Sequence, residues 1–189
     1  MTRPDGLDGP AAARRHALIA GVAATLGWPV SAQVAAAGSP APLPASGSVL
    51  PLPSLGSALP LPDVVLLDGR RYKPADAEGR VVVVYWWASW CPFCALQSPL
   101  IDRLWRQHQA QGLQVLGLSI DRSAGDASRY LAQRGYGFPT AMVTPAVERV
   151  LPKPKGLPVT LVRGRDARVV AAEAGQMFPE DVEQFARFL

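Results

Sequence analysis

The chain has 189 residues, 49% of them hydrophobic and 18% charged, with a formal net charge of +4 at pH 7. This excludes a wholly disordered or fibrous protein and leaves room for one ordinary domain and a tail. Three arginines and two aspartates lie before residue 61, so 16 Lys+Arg stand against 13 Asp+Glu in the remainder, and so mild an excess without a basic block gives no case for nucleic acid.

From the amino terminus, Arg14-Arg15 precede an apolar stretch, Ala17 to Leu26, followed by Trp28, Pro29 and the small residues Val30-Ser31-Ala32. That is the pattern of an export signal over residues 1–32, with cleavage after Ala32 or near Ala37. The stretch is interrupted by Gly21, Gly27 and Pro29 and falls short of the roughly 20 residues that span a bilayer, so a cleaved signal is expected over an uncleaved anchor. The arginine pair suits a general basic n-region and a twin-arginine address equally. Either route leads out of the cytoplasm, and the periplasm is the expected location. Residues 33–60 are almost entirely Ala, Pro, Ser, Gly, Leu and Val, with prolines at 40, 42, 44, 51, 53 and 60. They read as an extended linker before a domain at 61–189.

Within that domain, Val64 to Leu67, Asp68-Gly69 and Arg70 to Tyr72 predict a short hairpin. The run Val81 to Trp87 predicts a buried strand, with Trp86 and Trp87 facing opposite layers. Pro92 suits a first helical position. Leu96, Leu100, Ile101, Leu104 and Trp105 then repeat at helical spacing to about Gln111, with a kink expected at Pro99. A second strand follows at Leu113 to Ile120, then a helix capped by Ser123, a segment Thr140 to Thr144, and a short helix near Ala146 to Leu151. Val159 to Val162 and Arg168 to Ala172 predict a terminal hairpin, and Pro179 to Leu189 a last helix. Strands alternating with helices, then a hairpin and helix, imply an α/β fold with a mixed central sheet covered on both faces.

The only two cysteines, Cys91 and Cys94, stand where the strand passes into the helix. Two intervening residues on a first helical turn bring both sulfurs to one side. The first sulfur sits where free N–H groups and the helix dipole favour an anion, so Cys91 is the expected thiolate. Structural zinc wants four ligands, and His16 and His108 are poorly placed to supply two. A structural disulfide over so short a loop would restrict the unfolded chain little, which leaves reversible redox chemistry with no bound cofactor.

Trp86-Trp87-Ala88-Ser89-Trp90-Cys91-Pro92-Phe93-Cys94 after the valine run, Pro99, the strand end Ser119-Ile120-Asp121, and Gly156-Leu157-Pro158-Val159-Thr160 resemble the TlpA/ResA group of exported thioredoxin-like proteins. The resemblance covers roughly residues 61–189. It implies a thioredoxin-like fold with an inserted helix and strand, here Asp121 to about Lys155, behind an N-terminal hairpin. It also implies a cis proline beside the cysteines. Pro139 and Pro158 compete for that place, and Pro158 is preferred because a strand, turn, strand and helix follow it. With Pro158 facing Cys91, the Leu157 backbone would be free to pair with an extended client. Trp90, Pro92 and Phe93 would form a rim around the sulfurs.

The chain departs from the group in three places. Tyr85 stands where an acid is common beneath the site and is expected to fill core space. Gln97 stands where ResA-type relatives carry glutamate. Pro92-Phe93 has its proline first, which with the missing acids suggests a pair more oxidising than thioredoxin's. His108 is expected to be a solvated helix residue, and Asp121 to end a strand without catalytic duty.

The resulting expectation is a monomeric thiol:disulfide oxidoreductase that reduces exported client proteins, cytochrome c maturation among the candidate settings, with electrons from a membrane thiol carrier. A disulfide-forming oxidant or isomerase, or a Cu(I)-binding chaperone, are the alternatives.

Overall fold

The computed structural model describes residues 51–153 and 155–189; the expected export signal and the expected linker up to residue 50 lie outside the described residues. Strands β1 (Val64–Val65) and β2 (Arg71–Tyr72) form the predicted hairpin. The sheet strands are β3 (Val82–Trp87), β4 (Gln114–Ser119), β5 (Thr140–Met142), β6 (Val159–Arg163) and β7 (Val169–Ala174), in the order β5-β4-β3-β6-β7. Helices are α1 (Pro92–His108), α2 (Ala124–Arg134), α3 (Pro145–Val150) and α4 (Pro179–Glu183).

β3 is central because its sequence suits burial on both sides. All six of its residues are buried, and such a run of valine and aromatic side chains fits a pleated strand with no solvent face. It pairs in parallel with β4 and antiparallel with β6, and α1 supplies the crossover that a parallel pair requires. Alternation then divides the core. Val82, Val84 and Trp86 share one layer with Leu116, Leu118 and Leu161. Val83, Tyr85 and Trp87 share the other with Cys94, Ile101 and Leu104 of α1 and with Val182 and Phe185 at the carboxyl end. Each buried Val, Leu or Ile contributes roughly 1.5–3 kcal/mol of transfer free energy.

The stretch between β4 and β6 holds α2, β5 and α3. Ser123 caps α2 as expected, its Oγ accepting the Asp126 N–H at 3.1 Å, and Gly135 ends it at φ 68°, a backbone conformation that glycine adopts readily. β5 lies parallel to β4 at the sheet edge, and Leu66 of the N-terminal hairpin region bridges to Ala141. Gly117 of β4 permits this closeness: a Cβ there would come 2.5 Å from Thr140 Oγ1 and 3.0 Å from the Phe138 ring.

Two expectations change. The segment read as linker up to residue 60 joins the fold early: Gly56 N–H donates to Val169 C=O at 2.8 Å and Leu59 N–H to Ala167 C=O at 2.9 Å, and Leu59 is buried. Its prolines at 51, 53 and 60 stand outside the stretch from Gly56 to Leu59 that pairs, so the missing N–H groups cost the pairing nothing. The last helix is α-helical only over Pro179–Glu183 and tightens to a 3-10 helix over Gln184–Phe188, as helix ends often do. α1, by contrast, runs through Pro99 from Pro92 to His108. Among the described residues no helix is long and apolar enough to cross a membrane.

Candidate active site

The chain leaves β3 at Trp87, turns through Ala88 to Trp90, and enters α1 with Cys91 as its N-cap. The turn is tied at both ends. Cys91 N–H donates to Ala88 C=O at 3.2 Å. Ser89 donates to the Asp121 carboxylate through its backbone N–H at 3.1 Å and through Oγ at 2.6 Å, and Ser119 Oγ adds a further donor at 2.8 Å. Asp121 therefore does more than end a strand, since its buried charge is met by donors from two elements. Nothing in the sequence linked it to Ser89, 32 positions away.

Both thiols are free. The Cys94 N–H donates to Cys91 Sγ at 3.2 Å, so the first sulfur takes the place of the oxygen that usually caps a helix. The first turn of α1 carries no acidic side chain. Cys91 keeps 5% of its surface in solvent and Cys94 none. Burial is the main cause that pushes the Cys94 thiol well above its ordinary range, and the neighbouring Cys91 sulfur acts in the same direction; the Ala88 backbone and the Tyr85 hydroxyl oppose it.

Under Cys94 lies a buried polar cluster that the sequence reading only partly anticipated. Tyr85 Oη is 3.0 Å from Ser98 Oγ and donates to Cys94 C=O at 3.4 Å. Burial holds the Tyr85 hydroxyl well above the ordinary value of 10.0. Gln97 is fully buried; its Nε2 donates to Thr160 Oγ1 at 2.8 Å and its Oε1 accepts the Met177 N–H at 2.9 Å. It braces α1 against β6 and the segment before α4. Ser98 was missed, although its position one turn after Cys94 was a usable signal.

The Leu157-Pro158 bond is cis, and the only other candidate, Pro139, is not. Val159, the first residue of β6, pairs with Trp86 one residue before β3 ends, so Leu157 and Pro158 come at the end of the sheet from which the chain turns toward Cys91. Leu157 packs against the cluster that contains both cysteines, and Pro158 C=O accepts the Gly175 N–H at 2.8 Å.

Trp90 and Phe93 are more than half exposed beside Cys91, and Pro92 is exposed between the cysteines. Leu96, which the helical repeat counts with the apolar face of α1, is instead exposed one turn along from Phe93, and Phe178, next to the Met177 that Gln97 holds, is exposed as well; Phe178 was not singled out from sequence. His108 contacts Gln111 at the far end of α1. Among the described residues no group of three or more His, Cys, Asp or Glu side chains is gathered to hold a metal.

Residues 56–143 match the AhpC/TSA family. The thiol-disulfide oxidoreductase ResA of Geobacillus thermodenitrificans is 28% identical over 121 residues, covering 62% of this chain and 68% of that protein. The crystal structure of a protein described as a putative thiol:disulfide interchange protein DsbE, from Chlorobium tepidum, superposes with a TM-score of 0.62 at 28% identity, covering 71% of this chain and 94% of that one. A second thioredoxin-family structure from the same organism reaches a TM-score of 0.64 at 20% identity, covering 71% and 97% of the two chains, and shows the shared fold.

Proposed function

We propose, from the premise that this chain is a ResA-like thiol:disulfide oxidoreductase of the thioredoxin fold, that it acts outside the cytoplasm and in the reducing direction. The difference in access between the two sulfurs carries the mechanism, because Cys91 reaches solvent and Cys94 does not. A client disulfide can meet only Cys91, whose thiolate attacks one client sulfur and forms a mixed disulfide while the other client sulfur leaves with the electron pair. Cys94 then attacks Cys91, which frees the second client thiol and leaves Cys91 and Cys94 joined as a disulfide. The client gains two electrons and two protons, and the pair loses them.

The client is an extended segment of an exported protein. It lies along Leu157 and Pro158, pairs with the Leu157 backbone by strand addition, and is shielded by Trp90, Pro92 and Phe93. The pattern over Arg14 to Ala32 supports export to the periplasm, where a membrane thiol carrier returns the electrons; the cysteines of an apocytochrome c suit such a reductant. Replacing Cys94 with Ser is expected to leave clients covalently trapped on Cys91, and rapid turnover without a trapped species would refute the assignment. Direction is tested by labelling thiols in growing cells: a mainly reduced pair is expected, and a mainly oxidised one would make the protein an oxidant.

A further inference from the structure

We propose that the buried hydroxyl pair of Tyr85 and Ser98 receives the Cys94 thiolate by hydrogen bonding and so sets the rate at which the mixed disulfide is resolved. The inference rests on Cys94 being the resolving thiol, as proposed above.

The placement follows from two periodicities. Ser98 lies four residues beyond Cys94 on α1 and therefore beneath it on the same helix face. Tyr85 projects from β3 into the layer that α1 covers, edge-on to Phe138 with ring centroids 6.0 Å apart. Tyr85, Ser98 and Cys94 are each fully buried, and the two hydroxyl oxygens are 3.0 Å apart. The Gln97 amide on the same turn is occupied by Thr160 and Met177. The titratable groups that face Cys94 are Cys91 and Tyr85, with Tyr130 of α2 at longer range. Thr160 of β6 and Met177 before α4 do not titrate.

A phenol so deeply buried keeps its proton at neutral pH, so Tyr85 serves as a donor and never as the base. Donation to a charged acceptor is stronger than to a neutral one, which makes the pair selective for the reacting form of Cys94. Ser98 has a second use for its hydroxyl, because its i−4 carbonyl is that of Cys94 itself, so its proton can turn between the helix backbone and Tyr85 Oη. When Cys94 ionises, the Tyr85 O–H turns to the sulfur and Ser98 donates to Tyr85, each bond strengthening the next. Cys94 Sγ then bonds to Cys91 Sγ, the bond from Cys91 to the client breaks, and the client sulfur leaves with the electron pair and gains the proton that Cys94 lost.

Stopped-flow mixing of the reduced protein with dithiobis-nitrobenzoate separates the steps, since each released aromatic thiolate absorbs visible light. The first release reports attack by Cys91 and depends on reagent concentration; the second reports resolution by Cys94 and does not. Tyr85→Phe is expected to slow the second phase about tenfold at pH 7 and to move its pH midpoint up by about one unit, the size of one hydrogen bond to a charged group. The first phase should stay within about twofold of the parent. Ser98→Ala, which leaves the ring in place, is expected to slow the second phase roughly threefold and carries the test should Tyr85→Phe fail to fold. A second phase unchanged in both variants, or both phases slowed alike, would overturn the proposal. A parent protein with no second phase would instead refute the role given to Cys94.

Discussion

Trp86 and Trp87 are neighbours in the chain and both are buried, yet Trp86 shares its layer with Leu118, Val159 and Leu161, whereas Trp87 shares its layer with Tyr85, Phe138 and both cysteines. The first layer is apolar except at the end of β6, where the buried Arg163 guanidinium donates to the Leu59 and Ala77 carbonyls. The second encloses Gln97, Ser98 and Thr160 as well, each hydrogen-bonded to a partner that the fold brings to it. Apolar burial stabilises without regard to direction. A buried polar group must be met by a specific partner or it costs more than it contributes. One face of β3 is therefore held by how much surface it hides, and the other by which atoms face each other.

That contrast breaks if substitutions on the two faces behave alike. The largest expected effect is on the apolar side, where Leu116→Ala should cost about 2–5 kcal/mol by urea unfolding. The surviving folded protein should keep the parent's rate of disulfide exchange. A change in both would mean that the layers are not separable.

A smaller loss, about 1–3 kcal/mol, is expected for Gln97→Leu, which keeps much of the volume but leaves the Met177 N–H and the Thr160 hydroxyl without their partner. Its exchange rate should fall too, since α1 loses its brace to β6. Gln97→Glu, whose carboxylate can accept from both donors, should recover most of the stability, and a variant as weak as Gln97→Leu would show that packing and not pairing holds this turn.

The smallest effect is a pH dependence confined to the reduced protein. Burial raises the Cys94 thiol above its ordinary 9.0. Above that pH the unfolded chain sheds the proton while the folded chain keeps it, so this contribution is complete below about pH 9 and is lost as the pH rises. The oxidised protein has no thiol to titrate, and its alkaline loss should begin later, where Tyr72 and Tyr85, both raised from 10.0 by burial, come into play. Identical unfolding profiles for the two redox forms between pH 8 and 10 would contradict it.

Much of this arrangement was legible before any coordinate. The valine run, the helical spacing of Leu100, Ile101 and Leu104, and the Cys-Pro-Phe-Cys junction are local signals, and each element they announce is present. Pro158 was separable from Pro139 because the elements after it could be counted. The pairings between distant residues were not legible: Asp121 with Ser89, Gln97 with Thr160 and with Met177 80 positions on. Each is an ordinary polar residue until the fold selects its partner. The pairing of Gly56 and Leu59 with the β6–β7 turn was hidden for another reason, since a proline-rich segment carries no periodicity and reads the same whether it is free or laid along an edge.

Gly117 shows how a residue with no functional group can shape the packing behind a site. Its missing methyl group is the clearance that lets Phe138 stand edge-on to Tyr85, the ring that packs beneath the cysteine helix. Any side chain there must displace Phe138 or Thr140. Under the resolution step proposed above, a change on the strand next door would reach the phenol through Phe138 while leaving the thiols and every group bonded to them chemically as they were.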